Sequence, residues 1–330
     1  MNPSRLAGRV GVAVVVLGLT VGLLGSPASA KSGPPPARRL LVFSVPGFAW
    51  TEADSMRLPA FDRLFRNSAV ADLAPRSVFA SARRGDAYLT VSAGTRATAD
   101  PLNDGQQLGR DERLAGSAAG EVFARRSGHA SDRPFLSVGW PTLQRLNAAQ
   151  PYDAELGLLA DTLQDAGIGA HAVGNADGSE IPGAATERAA GLAMARGDGS
   201  ISGDLSPRLL DEDPTQAFGV RTDIDATADA FARLWGDNGT DARAVVLVEA
   251  SDLARTIRYR DLVDAARFEE LRHEALQDAD RLLARLLAHV DPERDAVLVV
   301  SPYQARGPAS LLVTALRRPG SRSGYLKIAS

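Results

Sequence analysis

Four short runs of almost uninterrupted apolar residues constrain the fold of this chain more than any other feature. They span residues 40–45, 168–173, 244–249 and 296–301. A strand with one face in solvent alternates apolar and polar side chains, whereas a strand covered on both faces is apolar throughout. The four runs therefore predict buried strands of a mostly parallel sheet.

Segments with helical spacing precede the later runs. Apolar residues recur three and four positions apart in residues 155–166, 223–235 and 262–290. Helices that alternate with buried strands are typical of a layered α/β domain, in which helices flank the sheet. Residues 98–132 and 177–213 are rich in Gly, Ala and charge without clear periodicity, and we expect them to be surface insertions on that domain.

The N-terminus carries the three-part pattern of a secretory signal peptide. Arg5 and Arg9 precede an apolar stretch over residues 10–24, and small residues follow up to Ala30, where cleavage is expected. An uncleaved membrane anchor is the alternative, but a bilayer-spanning helix needs about 20 apolar residues and this stretch is shorter. The sequence therefore predicts that residues 1–30 are an export signal.

The residues after the predicted export signal divide into a linker and one domain. Residues 31–39 are Pro-rich and predict an extended linker, and residues 40–330 form the single predicted domain. Removal of the signal takes away two Arg and no acid, so the net charge moves from −3 to −5. We expect an acidic extracytoplasmic protein, secreted or at the cell surface, which an uncleaved N-terminus would associate with the membrane.

Composition excludes several classes of protein. The chain has no Cys and only four His, which removes disulfide frameworks, Cys-ligated zinc, iron–sulfur clusters and thiol nucleophiles. No dense run of basic residues is present, so no nucleic-acid partner is expected. The glycine-rich dinucleotide fingerprint, the P-loop, the HExxH motif and the EF-hand loop are also missing from the sequence.

In an open parallel sheet, ligands bind beyond the carboxyl ends of the strands. The residues at those positions include Pro46, Asn175, Asp252 and Ser301, and only Asp252 is a carboxylate placed for a metal ion or for proton transfer. His171 lies inside an apolar run, and a hydrogen-bonded core role is the favoured interpretation for it.

Several segments resemble one family. They are residues 40–47, 85–97, 154–177, 213–223, 246–252 and 299–302. They resemble an uncharacterised exported branch, from high-GC bacteria, of the alkaline-phosphatase-like superfamily, which includes cofactor-independent phosphoglycerate mutases, sulfatases and nucleotide pyrophosphatases. The use of Arg for 35 of the 37 cations agrees with such an origin. The resemblance implies an alkaline-phosphatase-like α/β core with surface insertions.

Active members of that superfamily are two-metal hydrolases. An Asp ends their first strand, a Ser or Thr nucleophile opens the next helix, and later Asp and His residues complete the ligands of the two ions. The ions stabilise the attacking and leaving oxygens while the hydroxyl takes the phosphoryl or sulfuryl group. The resemblance therefore implies specific residue types at specific places in this chain.

Most of those places hold other residues. Pro46 and Gly47 stand where the first Asp-Gly is expected, and Ala82, Arg83 and Arg84 stand near the nucleophile position, with Ser81 as the nearest hydroxyl. Asp252 fits a later ligand. The strand-end Asp-His position reads Ser301, Pro302 and Tyr303, and none of the four His follows a strand. One Asp does not hold two divalent ions.

The favoured hypothesis is therefore an exported domain that is non-catalytic or ligand-binding, with no catalytic residue, no metal site and no cofactor. The ligand-binding candidates are Asp86, Arg96, Asn175, Asp252 and Ser301. No motif identifies a partner. Members of the branch continue past a segment like residues 319–330 into another strand and several membrane helices, so the resemblance also implies a missing C-terminal part and a second route to membrane association.

Two alternatives remain open at this point. The first is a metal-dependent phosphoric- or sulfuric-ester hydrolase with an atypical site that includes Asp86 and Asp252 and binds divalent metal ions. Its site would need at least three carboxylates or imidazoles within about 4–6 Å of a point near Asp252, because metal–ligand bonds are ~2 Å long. If Asp252 instead stands alone beside Arg83 or Arg84, a structural ion pair is the expected role. The second alternative is a structural or interaction module.

Overall fold

The computed structural model of the chain describes residues 36–178, 186–236, 243–304, 310–321 and 323–325. The predicted signal peptide, the first part of the predicted linker and the last five residues of the sequence lie outside the described residues.

The described residues form nine α-helices. They are α1 (Trp50–Ser55), α2 (Pro59–Phe65), α3 (Arg84–Ala93), α4 (Ala119–Ser127), α5 (Trp140–Ala148), α6 (Leu158–Asp165), α7 (Ile224–Trp235), α8 (Ser251–Tyr259) and α9 (Ala265–Leu287). Short 3₁₀ helices cover Ala189–Met194, Pro207–Leu209, Ala217–Gly219 and Arg260–Leu262. Among the described residues, no helix combines the length and the apolar character needed to cross a membrane.

Fifteen strands are present in the same residues. They are β1 (Arg39–Ser44), β2 (Ala69–Leu73), β3 (Gln107–Gly109), β4 (Arg113–Leu114), β5 (Ser117–Ala118), β6 (Phe135–Ser137), β7 (Gly169–Val173), β8 (Ser200–Ile201), β9 (Gly203–Asp204), β10 (Leu210–Glu212), β11 (Val220–Thr222), β12 (Ala244–Glu249), β13 (Ala296–Val300), β14 (Leu312–Arg317) and β15 (Gly324–Tyr325).

Eight of these strands build the main sheet, in the order β15-β2-β14-β13-β1-β12-β7-β9. The central strand β1 pairs in parallel with β12 on one side and with β13 on the other. The pairs β12-β7 and β7-β9 are also parallel, whereas β14 is antiparallel to both of its neighbours. The predicted class, a mostly parallel α/β sheet flanked by helices, is confirmed.

The four apolar runs are β1, β7, β12 and β13, with bounds that differ from the predicted ones by at most one residue. They are apolar throughout because apolar groups cover both faces of the sheet. On one face, Phe43 and Val248 pack with Phe231 of α7 and Leu276 of α9. On the other face, Leu247 belongs to a second core cluster that includes residues of α3, α5 and α6.

The three helical segments are α6, α7 and α9, each shorter than its predicted span. Asp223 is the first residue of the predicted segment 223–235. Its side chain accepts a hydrogen bond from the backbone N–H of Ala226 and so caps α7, which begins at the next residue. Asp264 caps α9 in the same way, through the N–H of Arg267. The long helix therefore starts at its cap rather than at the first apolar residue.

The predicted insertions are more structured than their composition indicates. Residues 98–132 contain β3, β4, β5 and the whole of α4, and β3 joins β6 and β8 in a separate three-stranded sheet. The segment Ala189–Met194 is buried at every position. A 3₁₀ helix buried on all sides shows no apolar period, which is why the sequence pattern did not reveal it.

Candidate functional site

The carboxyl ends of β1, β12 and β13 meet at one edge of the sheet, because all three strands run parallel. Ser44 ends β1 and pairs in register with Glu249, the last residue of β12, and with Val300, the last residue of β13. Helix α3 begins at the same edge, since the hydroxyl of its Tyr88 lies 2.8 Å from Oγ of Ser44. We call this group of residues the strand-edge site.

Glu249 is the central carboxylate of the strand-edge site and is 2% exposed. The Tyr88 hydroxyl donates to its Oε1 at 2.5 Å, and the Ser251 hydroxyl donates to its Oε2 at 2.8 Å. Burial raises the pKa of Glu249, and these two hydrogen bonds oppose the rise only in part. Burial, followed by the nearby charge of Glu249, also raises the pKa of Tyr88.

A second part of the strand-edge site is an ion-pair network around Arg84, the first residue of α3. Nη2 of Arg84 lies 2.7 Å from Oε2 of Glu187 and 3.3 Å from Oδ1 of Asp104. Nε of Arg258 lies 3.7 Å from Oε1 of Glu187. Burial opposes the charge of Arg84, but the two carboxylates raise its pKa well above its ordinary value. Burial also raises the pKa of Asp104 and of Glu187.

Two buried hydroxyls lie at the end of β13. The Tyr303 hydroxyl and the Ser301 hydroxyl are both shielded from solvent, and neither has a hydrogen-bond partner among the described residues. The ring of Tyr303 packs edge-on against Tyr88, with 6.1 Å between the ring centroids. Burial and the charge of Glu249 raise the pKa of Tyr303. Both tyrosines are therefore neutral, but only Tyr88 donates a hydrogen bond to the buried carboxylate.

Asp252 and Asn175 are joined through Arg255. Nη2 of Arg255 lies 2.5 Å from Oδ1 of Asp252, and Nη1 donates to the backbone carbonyl of Asn175 at 2.6 Å. The backbone N–H of Thr222 donates to the same Asp252 oxygen at 3.0 Å. Asp252 thus forms an ion pair with Arg255, whereas the sequence had suggested Arg83 or Arg84 as its partner.

Asp86 and Arg96 lie at the two ends of α3. The buried carboxylate of Asp86 accepts hydrogen bonds from Arg83, Thr98 and the backbone N–H of Ala99, so it fixes the start of the helix to the chain that follows it. Arg96 lies beyond the other end of the helix, with its guanidinium over the ring of Tyr152. The contacts of Asp86 and of Arg96 are thus different from those of Asp252 and Asn175, which Arg255 joins.

Sequence reasoning missed the residues that occupy the strand-edge site, namely Arg84, Tyr88, Glu187, Glu249 and Tyr303. Glu249 carried a usable signal, because it ends a predicted parallel strand and such ends meet at the ligand edge of a sheet. Glu187 carried none. It lies in the Gly- and Ala-rich stretch 177–213, and only the tertiary structure brings it to Arg84.

The residues present do not fit a pair of divalent metal ions. Across the described ranges, no group of three or more His, Asp and Glu side chains is arranged to hold a metal. Glu249 accepts from two hydroxyls, and Asp104 and Glu187 face guanidinium groups, so each carboxylate of the strand-edge site already has a partner. The geometry defines an ion-paired group of residues at the edge of the sheet where the parallel strands end.

No protein-family model matches the sequence, and no curated protein matches it either. Solved structures with a similar course of the chain include a protein of the alkaline phosphatase superfamily from Vibrio parahaemolyticus, at 11% identity and a TM-score of 0.49, which covers 90% of this chain and 64% of that chain. The chain thus spans less than two thirds of that protein.

Two further solved structures are matched over a larger share of their own length. The PH0037 protein from Pyrococcus horikoshii has 13% identity and a TM-score of 0.47, over 87% of each chain. The lipoteichoic acid synthase LtaP from Listeria monocytogenes has 10% identity and a TM-score of 0.46, over 87% of this chain and 67% of that chain.

The raised pKa of Glu249 gives a testable pH dependence. A carboxyl group whose folded pKa exceeds its unfolded value of about 4.3 stabilises the protonated fold, and this contribution is lost as the pH rises through the folded pKa. The free energy of unfolding of the native chain, relative to that of Glu249→Gln, should therefore fall as the pH rises from the unfolded pKa to the folded pKa. The expected slope is up to about 1.4 kcal/mol per pH unit. Urea unfolding of both proteins, from about pH 4 to pH 8, measures the difference.

The exposed Glu270 provides the matched control, because its side chain remains in solvent. Glu270→Gln should show no comparable pH-dependent difference from the native chain. A stability difference between the native chain and Glu249→Gln that stays constant with pH would show that the Glu249 carboxyl has the same pKa in the folded and unfolded states.

Proposed function

We propose that this chain is an exported, non-catalytic domain of the alkaline-phosphatase-like superfamily, with buried ion pairs in place of a two-metal centre. The resemblance of its segments to an exported branch of that superfamily suggests the membership. The predicted signal peptide supports export and action at the cell surface. The geometry of the strand-edge site supports the absence of turnover.

The observation that carries the proposal is the position of Arg84. Arg84 is the first residue of α3, and the resemblance places the nucleophile of an active hydrolase at the opening of this helix. Its guanidinium instead pairs with Glu187 and Asp104. A fixed guanidinium repels a divalent cation and neutralises the carboxylates that would bind it.

The turn after β1 supports the same conclusion. Pro46 offers no side-chain ligand where the resemblance expects Asp. The backbone of the next residue, Gly47, is also engaged, because its N–H donates to the carbonyl of Tyr303 at 2.7 Å and its carbonyl accepts from Arg272 at 2.6 Å. Both groups are therefore bound within the protein rather than directed to a ligand.

The test is metal analysis combined with an assay of esters. The purified chain, incubated with zinc or manganese and then dialysed, should hold metal far below one equivalent. It should not hydrolyse p-nitrophenyl phosphate, bis(p-nitrophenyl) phosphate or p-nitrocatechol sulfate above the buffer rate. Unfolding measured on the same sample shows that the protein tested is folded.

Two metal equivalents per chain, with turnover that Asp252→Asn abolishes, would establish the hydrolase alternative instead. Asp225→Asn is the matched control, because Asp225 is an exposed partner of Arg285 and lies outside the strand-edge site. In a hydrolase, Asp225→Asn would retain the full activity.

A further inference from the structure

A cavity of about 260 Å³ lies at the opposite end of β7 from the strand-edge site. It is lined by the end of α6, the first residues of β7 and the segment that follows Met194, and it is open to solvent on part of its surface. Val246 of β12 pairs in register with His171 of the cavity wall, and Glu249 of the strand-edge site lies three residues further along β12, which corresponds to about 10 Å along a strand. The cavity is therefore separate from the site described above.

One side of this cavity carries positive charge. Arg133 lines it and donates to the Ser202 hydroxyl at 3.0 Å and to Oε1 of Gln164 at 3.2 Å. Both of these partners are neutral, and within the described part of the chain no carboxylate forms an ion pair with Arg133. The second guanidinium of the lining, that of Arg196, is already paired with Asp161 at 3.0 Å. Arg133 thus presents a charge that the protein does not neutralise.

The cavity wall also contains an unsatisfied imidazole. Nδ1 of His171 is buried and has no hydrogen-bond partner among the described residues. This corrects the expectation that His171 is a hydrogen-bonded core residue. Burial, together with the charge of Arg133, lowers the pKa of His171, so the ring is neutral at pH 7. A neutral imidazole can donate a hydrogen bond to a ligand or accept one from it.

The other side chains that line the cavity are apolar. Ala160, Ile168 and Met194 supply hydrocarbon surface. The volume lies just below the range of about 300–1,000 Å³ that holds drug-sized ligands, so the cavity suits a smaller molecule. Apolar walls with a few polar groups at one side are the usual pattern of a small-molecule site.

We propose that this cavity binds a small organic carboxylate. The carboxylate pairs with Arg133 and the apolar body lies against Ala160, Ile168 and Met194. A guanidinium is the side chain best suited to a carboxylate, because it offers parallel N–H donors. A bare inorganic anion would leave the apolar wall uncovered, and a neutral molecule would leave the charge of Arg133 uncompensated. The proposal does not depend on the proposed loss of catalysis.

Isothermal titration of the full chain with benzoate tests the proposal, with benzamide and inorganic phosphate as the comparison probes. Benzoate should bind, whereas benzamide, which has the same shape without the charge, should bind at least about tenfold more weakly. Phosphate should also bind more weakly than benzoate. Absence of benzoate binding to the folded chain, equal binding of benzamide, or tighter binding of phosphate would each overturn the proposal.

Two variants assign the binding to this cavity. Arg133→Gln removes the charge and should weaken benzoate binding by roughly tenfold to a hundredfold. Ala170→Phe fills the cavity from β7 and should abolish binding. Arg110→Gln is the matched control, since Arg110 is half-exposed and pairs with the solvated Asp132. If benzoate binds to Arg133→Gln, Ala170→Phe and the control with equal affinity, the cavity is not the binding site.

These measurements are separable from the test of the proposed function. Ester hydrolysis by a chain that also binds benzoate would overturn the proposed function and leave the cavity proposal in place. A folded chain that neither hydrolyses esters nor binds benzoate would overturn the cavity proposal and leave the proposed function in place.

Discussion

Replacing Arg255 with alanine is expected to lower the free energy of unfolding by about 3–5 kcal/mol, because the change leaves a mostly buried carboxylate without its cation. Arg255 is fully buried. Its guanidinium connects Asp252 of α8, the carbonyl of Asn175 after β7 and the hydroxyl of Thr222 at the end of β11. Loss of this side chain removes the link between three elements and also leaves a cavity. Urea denaturation of both proteins gives the difference.

The control is a surface pair with the same chemistry. Arg285 pairs with Asp225, and both side chains are more than half exposed. Arg285→Ala should therefore cost less than about 1 kcal/mol. Equal losses for Arg255→Ala and Arg285→Ala would show that burial of the Arg255 network does not contribute to stability. Such a result would reopen Asp252 as a residue that is free to bind a ligand.

Gly157→Ala is expected to be the second severe change, with a cost of roughly 2–5 kcal/mol from backbone strain and overpacking together. Gly157 precedes α6 with φ at +92°, a conformation that an L side chain rarely adopts. An added Cβ would lie 2.1 Å from the backbone nitrogen of Gly197 and 2.3 Å from the carbonyl carbon of Arg196. Both neighbours are backbone atoms, so no side-chain rotation relieves the contact.

Gly167→Ala separates strain from overpacking. Gly167 also has a positive φ, of +69°, but a Cβ there would have no atom within 4 Å. Its substitution should cost only the strain of the left-handed backbone, about 1–2 kcal/mol. Thermal unfolding of the two variants beside the native chain measures both costs. A loss for Gly157→Ala no greater than that for Gly167→Ala would show that the segment at residues 196–197 can move away.

The four adjacent strands at the centre of the main sheet could be predicted from the sequence, but the strands of its antiparallel side could not. The apolar runs identified β1, β7, β12 and β13 because these strands are covered on both faces. The strand β2 is only partly buried along its length and has a mixed polar composition, so it gave no such signal. The neighbouring strand β14 was also not predicted. Partial burial weakens the apolar pattern on which this prediction depends.

The position of the candidate site in the fold could be predicted from the sequence, but the residues that form it could not. The rule that ligands bind beyond the carboxyl ends of parallel strands pointed to the edge of the sheet at which the strand-edge site and the turn at Pro46 lie. It did not show that Asp252 is held by Arg255, or that Arg84 faces Glu187 across a separation of about a hundred residues. An ion pair between distant parts of a chain produces no periodic pattern in the sequence. Each of its two charged residues, taken alone, cannot be distinguished from an ordinary surface residue.

By itself, the sequence determined the α/β class, the buried strands and the edge at which their carboxyl ends meet, because apolar periodicity records which faces of an element lie against other elements. Only the tertiary structure decided what stands at that edge. It brought Arg84, Glu187 and Glu249 together with two buried tyrosines, and it left Arg133 and His171 beside a separate cavity. Coulomb and hydrogen-bond contacts act over a few ångströms in space, and folding alone determines which distant residues come that close.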